Sequence, residues 1–361
     1  MVLNVDYNYL GSSGMKVSNI CFGTMTFGST TERTNRPGQL DPTGSYQLLD
    51  HFAECGGNFI DTADVYTDRQ SETIVGNWLS SKERSRYVIA TKVRFNNNPK
   101  DPTDVNAVGL SRKHIVAGLE KSLECLQTNY VDLYQAHCWD SGTPIKETLL
   151  TFHDLQRAGK IHHIGVSNFC GWQLQKTVDL ANHIGMSSIL TLQQQYSLME
   201  RNAEFEEFQV CQNDGISILP WSPLKGGFLS GKFKRTEAPS AETRIGYTAL
   251  DEKNRTLEIQ PGWSALQSRD DVWLLLDAMT KIAQNHNKSV AQVAIRWLLQ
   301  RKMVASVIFG AKTMNQLDDN IGASSGWELT CEEMETLNDL SAPVKKYPHT
   351  VNAKFNAMRL K

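Results

Sequence analysis

The chain has 361 residues, of which 40% are hydrophobic and 21% are charged, and its formal net charge at pH 7 is −2. This composition is that of an ordinary globular protein, and the near-neutral charge argues against a nucleic-acid or membrane-surface partner. Seven widely spaced cysteines with no C-x-x-C pair argue against a zinc site and fit free thiols in a reducing compartment.

Strands and helices are predicted in strict alternation along the chain. The segment YLGSSGMKVS, with its Gly and Ser turn, predicts an N-terminal hairpin. The eight strands predicted after it are, in order, NICF, NFI, YVIAT, VDLYQA, HIGVS, ILTLQ, ISILP and SVIFG. The predicted helices are 43–55, 71–79, one capped by Ser111, 145–158, 172–184, 203–213, 271–285, one capped by Ser289, and 314–321.

Alternating strands and helices predict βαβ units and a parallel sheet, and eight such units close a (β/α)8 barrel. We therefore predict one α/β TIM-barrel domain over residues 1–361, with an N-terminal hairpin and long βα loops. An open doubly wound sheet is the alternative, but it would require G-x-G-x-x-G near its first strand, where the chain reads CFGTMTFGS. The segment 233–270, rich in charge, Gly and Pro, is predicted to be one long functional or mobile loop.

Ionisable residues follow three of the predicted strands. Asp61 ends the second strand, with Tyr66 five residues later, Lys92 ends the third, and His137 ends the fourth. In a barrel, the carboxyl ends of the strands meet at one mouth. A tyrosine hydroxyl has a reference pKa of about 10, and a nearby ammonium favours its phenolate. With an aspartate to hold the lysine charged and a histidine to bind a substrate oxygen, these residue types predict a proton-donating site.

The chain resembles the aldo-keto reductase superfamily from about Leu10 to Ala323. The motifs that carry the resemblance, besides the lysine after the third strand, are FIDTADVY, LYQAH, GKIHHIGVSNF, LQQQYSL, LPWSPLKGGFLSGKF and GAKTMNQLDDNIGA. The branch most resembled contains bacterial reductases and the potassium-channel β subunits. The resemblance implies an NAD(P)(H)-dependent carbonyl reductase on a barrel that has no Rossmann fingerprint.

Four catalytic residues follow from the resemblance: Asp61, Tyr66, Lys92 and His137. Tyr66 would give a proton to the carbonyl oxygen, Lys92 paired with Asp61 would tune it, and His137 would orient the carbonyl for hydride transfer. Channel subunits of this branch carry a different residue at the histidine position, so His137 favours a working enzyme.

The resemblance also implies which residues hold NADPH or NADP+. Those near the nicotinamide and its carboxamide would be Thr24, Met25, Asp61, Ser167, Asn168 and Gln193, with Trp221 stacked on the ring. The loop after the seventh strand would cover the pyrophosphate and ribose with Ser222, Pro223, Leu224, Lys232 and Arg244. The adenosine end would be held by Gly310, Lys312, Gln316, Asp319 and Asn320, and Lys312 beside a helix N-terminus would favour NADPH over NADH.

Three functions stay open. The first is NADPH-dependent reduction of an aldehyde or ketone, sugar-derived carbonyls included. The second is a non-catalytic or weakly active NADP-binding regulatory subunit, and the third is an NAD-dependent alcohol or sugar dehydrogenase. The substrate depends on the loops 26–42, 138–144 with Trp139 and Asp140, and 233–270 with Trp263, whose aromatic and polar groups suit several carbonyl classes equally.

We expect a cytoplasmic protein that binds a small carbonyl compound, without a metal, nucleic acid or membrane. The first residues, MVLNVDYNYLG, are polar and acidic rather than those of a secretory signal. No apolar run approaches the roughly 18 residues of a membrane span. The oligomeric state is not predicted.

Overall fold

The computed structural model of the protein describes residues 5–359 except 31–37, 97, 99, 102, 187 and 251–261. The chain begins with an antiparallel hairpin of β1 (Tyr7–Tyr9) and β2 (Lys16–Ser18). The strands that follow are β3 (Ile20–Gly23), β4 (Phe59–Asp61), β5 (Val88–Val93), β6 (Val131–Ala136), β7 (Ile161–Ser167), β8 (Thr191–Gln195), β9 (Ser217–Trp221) and β10 (Val307–Phe309). They pair in parallel in chain order, and β10 closes the barrel against β3. The predicted (β/α)8 barrel with its hairpin is confirmed.

Helices cover the outside of this barrel. They are α1 (Pro42–Glu54), α2 (Gln70–Leu79), α3 (Arg112–Leu126), α4 (Ile145–Arg157), α5 (Gly171–His183), α6 (Glu207–Asp214), α7 (Arg244–Leu250), α8 (Trp263–Gln267), α9 (Asp270–His286), α10 (Val290–Leu299), α11 (Met314–Ile321), α12 (Cys331–Leu340) and α13 (His349–Arg359). The predicted caps Ser111 and Ser289 accept backbone hydrogen bonds from His114 and Gln292. Within the described part of the chain, no helix is both long and apolar enough to span a membrane.

The hairpin closes the end of the barrel where the strands begin. Leu10 lies in the turn of the hairpin and is fully buried among apolar side chains of the barrel interior that include Phe59, Val88 and Leu219. The backbone N–H of Gly11 donates to Ser217 Oγ at the start of β9 over 2.7 Å. Gly11 has a φ of +54°, and a Cβ there would lie 2.6 Å from the carbonyl oxygen of Leu190, so glycine is required. The carboxyl ends of the strands are left as the mouth.

The predicted loop 233–270 contains two helices, α7 and α8, and residues 251–261 lie outside the described part. Trp263 is only 9% exposed. Its ring centroid lies 6.1 Å from those of Phe233 and Trp273. Burial in this aromatic cluster places Trp263 in the packing around α9, not among freely exposed groups of a substrate loop.

Candidate active site

Lys92 is the centre of a hydrogen-bonded cluster at the carboxyl ends of β4 and β5. Its Nζ donates to Asp61 Oδ2 over 2.6 Å and to the Thr62 carbonyl oxygen over 2.8 Å. The third contact of Nζ is Tyr66 Oη at 3.1 Å. These three acceptors match the three donors of an ammonium group, so the lysine is fixed with one N–H directed at the tyrosine hydroxyl.

The second carboxylate oxygen of Asp61 is also used. Gln193 Nε2 donates to Asp61 Oδ1 over 2.8 Å, and Gln135 Nε2 donates to it over 3.3 Å. Lys92 is 0% and Asp61 2% exposed, and burial alone would lower the pKa of Lys92. The charges of Asp61 and Tyr66 outweigh burial and raise the pKa of Lys92 to about 12. Lys92 is therefore a permanent buried cation.

Tyr66 reaches this cation from a turn between β4 and α2. The turn is closed by a hydrogen bond from the Tyr66 N–H to the Ala63 carbonyl oxygen over 3.1 Å. Three residues in succession, Thr67, Asp68 and Arg69, then adopt positive φ angles of 49°, 51° and 68°. Such left-handed non-glycine residues are uncommon and cluster at functional sites. Tyr66 is half-buried, so its ring lies between the buried lysine and the open mouth.

His137 stands directly after β6, beside Tyr66. Its ring packs edge-on against Tyr66, with centroids 5.9 Å apart, and against Phe95 at 4.8 Å. Burial lowers the pKa of His137 well below its usual range, and the charges of Lys92 and Arg94 lower it further. The imidazole is therefore neutral at physiological pH. Its Nδ1 is enclosed and has no hydrogen-bond partner among the described residues.

Asn168 and Trp221 link the ends of β6, β7 and β9 around the mouth. Asn168, with a φ of +55°, donates its amide to the His137 carbonyl oxygen over 2.9 Å and to Ser167 Oγ over 3.0 Å. Trp221 Nε1 donates to Asn168 Oδ1 over 3.2 Å. Since the indole is only half-buried, it offers a flat apolar face at the mouth, as a nicotinamide ring requires.

Two of the expected nicotinamide contacts have buried side chains that are engaged in hydrogen bonds within the protein. Thr24 Oγ1 lies 2.6 Å from Ser71 Oγ and donates to the Asp61 carbonyl oxygen over 3.0 Å. The Gln193 amide is bound to Asp61, as described above. Met25, the neighbour of Thr24, is half-buried and follows β3 at the mouth.

The loop after β9 supplies a second group of expected contacts. Ser222 has a φ of +57°, and its carbonyl oxygen accepts the Lys225 N–H over 2.9 Å in a tight turn that contains the buried Pro223 and the half-buried Leu224. Further along, Lys232 Nζ lies 5.2 Å from the ring centroid of Phe233, and Arg244 is the first residue of α7. Lys232 and Arg244 are thus two of the cations of this loop, and a pyrophosphate is a group that cations bind.

The loop after β10 runs from the exposed Gly310 into α11, whose N-cap is Thr313. The backbone N–H of Lys312 donates to Gln316 Oε1 over 2.9 Å. A Cβ at Gly38 would lie 1.9 Å from Lys312 Cε, so the lysine side chain crosses the loop between β3 and α1. A lysine next to a helix N-terminus fits a phosphate group.

The last two expected adenosine contacts lie on the inner side of α11. Asp319 Oδ2 accepts from Ser289 Oγ over 3.0 Å, and burial raises the pKa of Asp319. Its carbonyl oxygen accepts from Gln292 Nε2 over 2.9 Å. Asn320 is buried next to it. In this structure, Asp319 therefore joins α11 to the start of α10.

Two residues of the mouth were not identified from the sequence. Gln135 holds Asp61 from near the carboxyl end of β6, and its place two residues before His137, on the same side of the strand, is the pattern that could have revealed it. Arg94 stands two residues after Lys92 and follows the same alternation. The contact with Asp61 places Gln135 on the barrel's inner face.

Comparison with known proteins places the chain among oxidoreductases. The family model of the aldo/keto reductase family matches residues 19–342. The chain is 34% identical over 345 residues to the uncharacterized oxidoreductase YrpG of Bacillus subtilis (strain 168). The aligned region covers 93% of this chain and 96% of YrpG.

Two fungal proteins with named activities are similar over comparable lengths. Identity to the versiconal hemiacetal acetate reductase of Aspergillus parasiticus is 31%, covering 95% of this chain and 99% of the relative. Identity to an aryl-alcohol dehydrogenase (NADP(+)) of Phanerodontia chrysosporium is also 31%, covering 93% of this chain and 86% of the relative.

Proposed function

Because the chain belongs to the aldo/keto reductase family, we propose that it reduces an aldehyde or ketone to the alcohol with NADPH, and that Tyr66 is the proton donor. The observation that supports this most strongly is the 3.1 Å contact between Tyr66 Oη and Lys92 Nζ, with Asp61 2.6 Å behind the lysine. The overall reaction adds one hydride to the carbonyl carbon and one proton to its oxygen, and NADPH becomes NADP+.

The chain's own residues supply the proton and its control. The Lys92 ammonium stabilises the phenolate that remains when Tyr66 releases its proton, since an opposite charge within a few ångströms favours the ionised form. Asp61 keeps Lys92 charged and aimed. A neutral His137 does not compete as an acid, and its ring N–H can donate a hydrogen bond that orients the substrate oxygen.

NADPH, when bound, would supply the hydride. The residues that would hold it are those expected from the sequence: Thr24, Met25, Asp61, Ser167, Asn168, Gln193, Trp221, Ser222, Pro223, Leu224, Lys232, Arg244, Gly310, Lys312, Gln316, Asp319 and Asn320. The half-buried indole of Trp221 fits the nicotinamide ring, and Lys312 beside the α11 N-terminus fits the phosphate that distinguishes NADPH from NADH. The name of the Phanerodontia relative, which includes NADP(+), supports this choice.

The test is oxidation of NADPH, followed by its absorbance, with a panel of aldehydes and ketones that includes sugar-derived carbonyls. Tyr66→Phe removes the hydroxyl group that would donate the proton and keeps the aromatic ring, so kcat should fall by about 10²-fold or more. NADPH affinity, measured by fluorescence titration, should stay close to wild type. Tyr9→Phe is the matched control, because Tyr9 is exposed in the hairpin at the closed end of the barrel.

Near wild-type turnover by Tyr66→Phe would remove Tyr66 from the mechanism. NADPH binding without turnover of any carbonyl would favour the regulatory-subunit alternative. Turnover of alcohols with NAD+ but not NADP+ would favour the dehydrogenase alternative.

A further inference from the structure

Arg94 lies at the mouth beside His137, on the same face as the cluster around Lys92. The ladder between β5 and β6 pairs Ala90 with Leu133, Lys92 with Gln135, and Val93 with Ala136. It continues past the strand ends, because the His137 N–H donates to the Val93 carbonyl oxygen over 3.0 Å. The next pair in this register is Arg94 with His137, about 4.8 Å apart at the backbone.

The alternation of side chains fixes the direction in which this pair faces. Ala90 and Leu133 belong to the apolar cluster inside the barrel, and Lys92 and Gln135 contact Asp61 one layer above them. Since side chains alternate with a period of two, Arg94 and His137 form the third and uppermost layer of the same inner face. Arg94 is therefore a cation next to the residue proposed to orient the substrate carbonyl.

The guanidinium of Arg94 has unused donors. Arg94 is half-buried, and its Nε is enclosed with no hydrogen-bond partner among the residues that the structure describes. Within the same residues, no carboxylate lies within ion-pair distance of it. Asp140, which lies on the loop after β6, accepts hydrogen bonds from the Leu110 N–H over 2.7 Å and from Thr143 Oγ1 over 2.7 Å. The charge of Arg94 helps to lower the pKa of Asp140, but the two side chains form no direct ion pair, so a ligand carboxylate that pairs with the guanidinium would be favoured.

The walls beside this cation are aromatic. Arg94 lies 5.7 Å from the ring centroid of Phe95, which packs edge-on against His137 at 4.8 Å. On the loop after β6, the half-buried Trp139 packs edge-on against Phe169 with centroids 5.3 Å apart. A carboxylate matches the planar fork of arginine and can accept two of its N–H groups at once.

We propose that Arg94 is a specificity-determining residue that binds a carboxylate carried by the substrate, so that the preferred substrates are aldehydes or ketones with a carboxylate a few bonds from the carbonyl. This inference rests on the proposed reductase function and specifies its substrate class. The carbonyl end faces Tyr66 and His137, and the anionic end faces Arg94.

The activity test compares 4-carboxybenzaldehyde with 4-methylbenzaldehyde, a neutral aldehyde of similar shape, using NADPH. The ratio of the two kcat/KM values should fall by roughly 10- to 100-fold in Arg94→Gln, mainly through KM for the carboxylate, as expected for a charge-assisted hydrogen bond. Arg94→Lys keeps the charge and loses the planar pair of N–H donors, so its ratio should lie between those of wild type and Arg94→Gln. Lys113→Gln removes one exposed cation from the nearby start of α3 and should keep the wild-type ratio.

A binding test separates this proposal from the reductase function. Calorimetric titration of the NADP+-loaded protein with 4-methylbenzoate should show tighter binding than with 4-methylbenzamide, and Arg94→Gln should weaken the benzoate by roughly 10- to 100-fold. If neither aldehyde is reduced but Arg94→Gln still weakens benzoate, the reductase proposal fails and the carboxylate site stands. If both aldehydes are reduced with the same ratio in wild type, Arg94→Gln and Arg94→Lys, and benzoate binds all three equally, the role of Arg94 is overturned.

Discussion

The two ends of the barrel are built from opposite kinds of side chain. At the closed end, Leu10 of the hairpin fills the interior among Phe59, Val88 and Leu219. At the open end, the same strands carry an enclosed lysine and aspartate, ringed by glutamines and a neutral histidine. Within a few residues, β4 and β5 thus change from apolar packing to hydrogen-bonded polar groups. The closed end therefore stabilises the fold, and the open end, where the reaction is proposed to take place, carries buried charges at a cost in stability.

The largest effect is expected at the open end, from Lys92→Met. Breaking a buried ion pair by removing one partner costs about 3–5 kcal/mol, because Asp61 would keep an uncompensated charge. Loss of the cation beside Tyr66 should also lower kcat by about 10³-fold. Urea unfolding and NADPH oxidation measure the two effects.

The double variant Lys92→Met with Asp61→Asn tests the cause. The amide introduced at position 61 is uncharged and keeps an oxygen that accepts from Gln135 and Gln193. Much of the lost stability should therefore return while kcat stays low. Unfolding free energies that are equal in the single and double variants would mean that the unpaired charge is not the source of the loss.

The closed end should respond in the opposite way to Leu10→Ala. A fully buried leucine truncated to alanine costs about 2–5 kcal/mol of unfolding free energy. The kinetic constants of the folded enzyme should stay near wild type, because the hairpin lies at the end of the barrel opposite the mouth. Leu274→Ala on α9, where the side chain is 58% exposed, is the control and should change stability little. A large fall in kcat without a loss of stability would break the division between the two ends.

Much of this division could be predicted from the sequence, because it depends on short-range patterns. Eight alternating units predicted the barrel, and the types of residue after the strands predicted the cluster of Asp61, Tyr66, Lys92 and His137. Gln135 could have been found from its place two residues before His137, whereas Arg94 depends on three-dimensional context. Arg94 lies beyond the end of β5, and only the ladder to β6 shows that it faces inwards.

Two further misses have different causes. Trp263 lies in a polar stretch of sequence, and its burial follows from contacts with Phe233 and Trp273 that no local pattern encodes. The helix α12 could have been found, since Thr330 and Glu333 form the capping box that begins it. Its position after the last barrel unit, beyond the motifs of the family resemblance, left it out.

The cofactor end of the mouth gives a smaller expected effect. Lys312→Ala should raise KM for NADPH by roughly 10- to 100-fold, since a charge-assisted contact contributes about 1.5–3 kcal/mol. KM for NADH, which lacks the phosphate, should hardly move. Lys302→Ala removes an exposed lysine just before β10, near the closed end, and should leave both values unchanged. Equal losses for both cofactors would show that Lys312 does not bind the phosphate.

The smallest expected effect is a pH dependence that originates from His137. Burial, together with the charges of Lys92 and Arg94, holds the pKa of His137 well below the value of about 6.5 that a histidine has in the unfolded chain. On acidification, the unfolded chain therefore takes up this proton first, and the stability present above about pH 6.5 is lost as the pH falls towards the lower folded-state pKa. The slope from one proton is at most about 1.4 kcal/mol per pH unit. The asparagine in His137→Asn does not titrate, so the unfolding free energy of this variant should fall less between about pH 7 and pH 5 than that of wild type. The difference should be at most about 1.4 kcal/mol per pH unit. Other groups titrate in both proteins, so the difference between their unfolding free energies isolates His137. If urea titrations gave the same dependence on pH for both proteins, the folded protein would accept the proton at His137 as readily as the unfolded chain does.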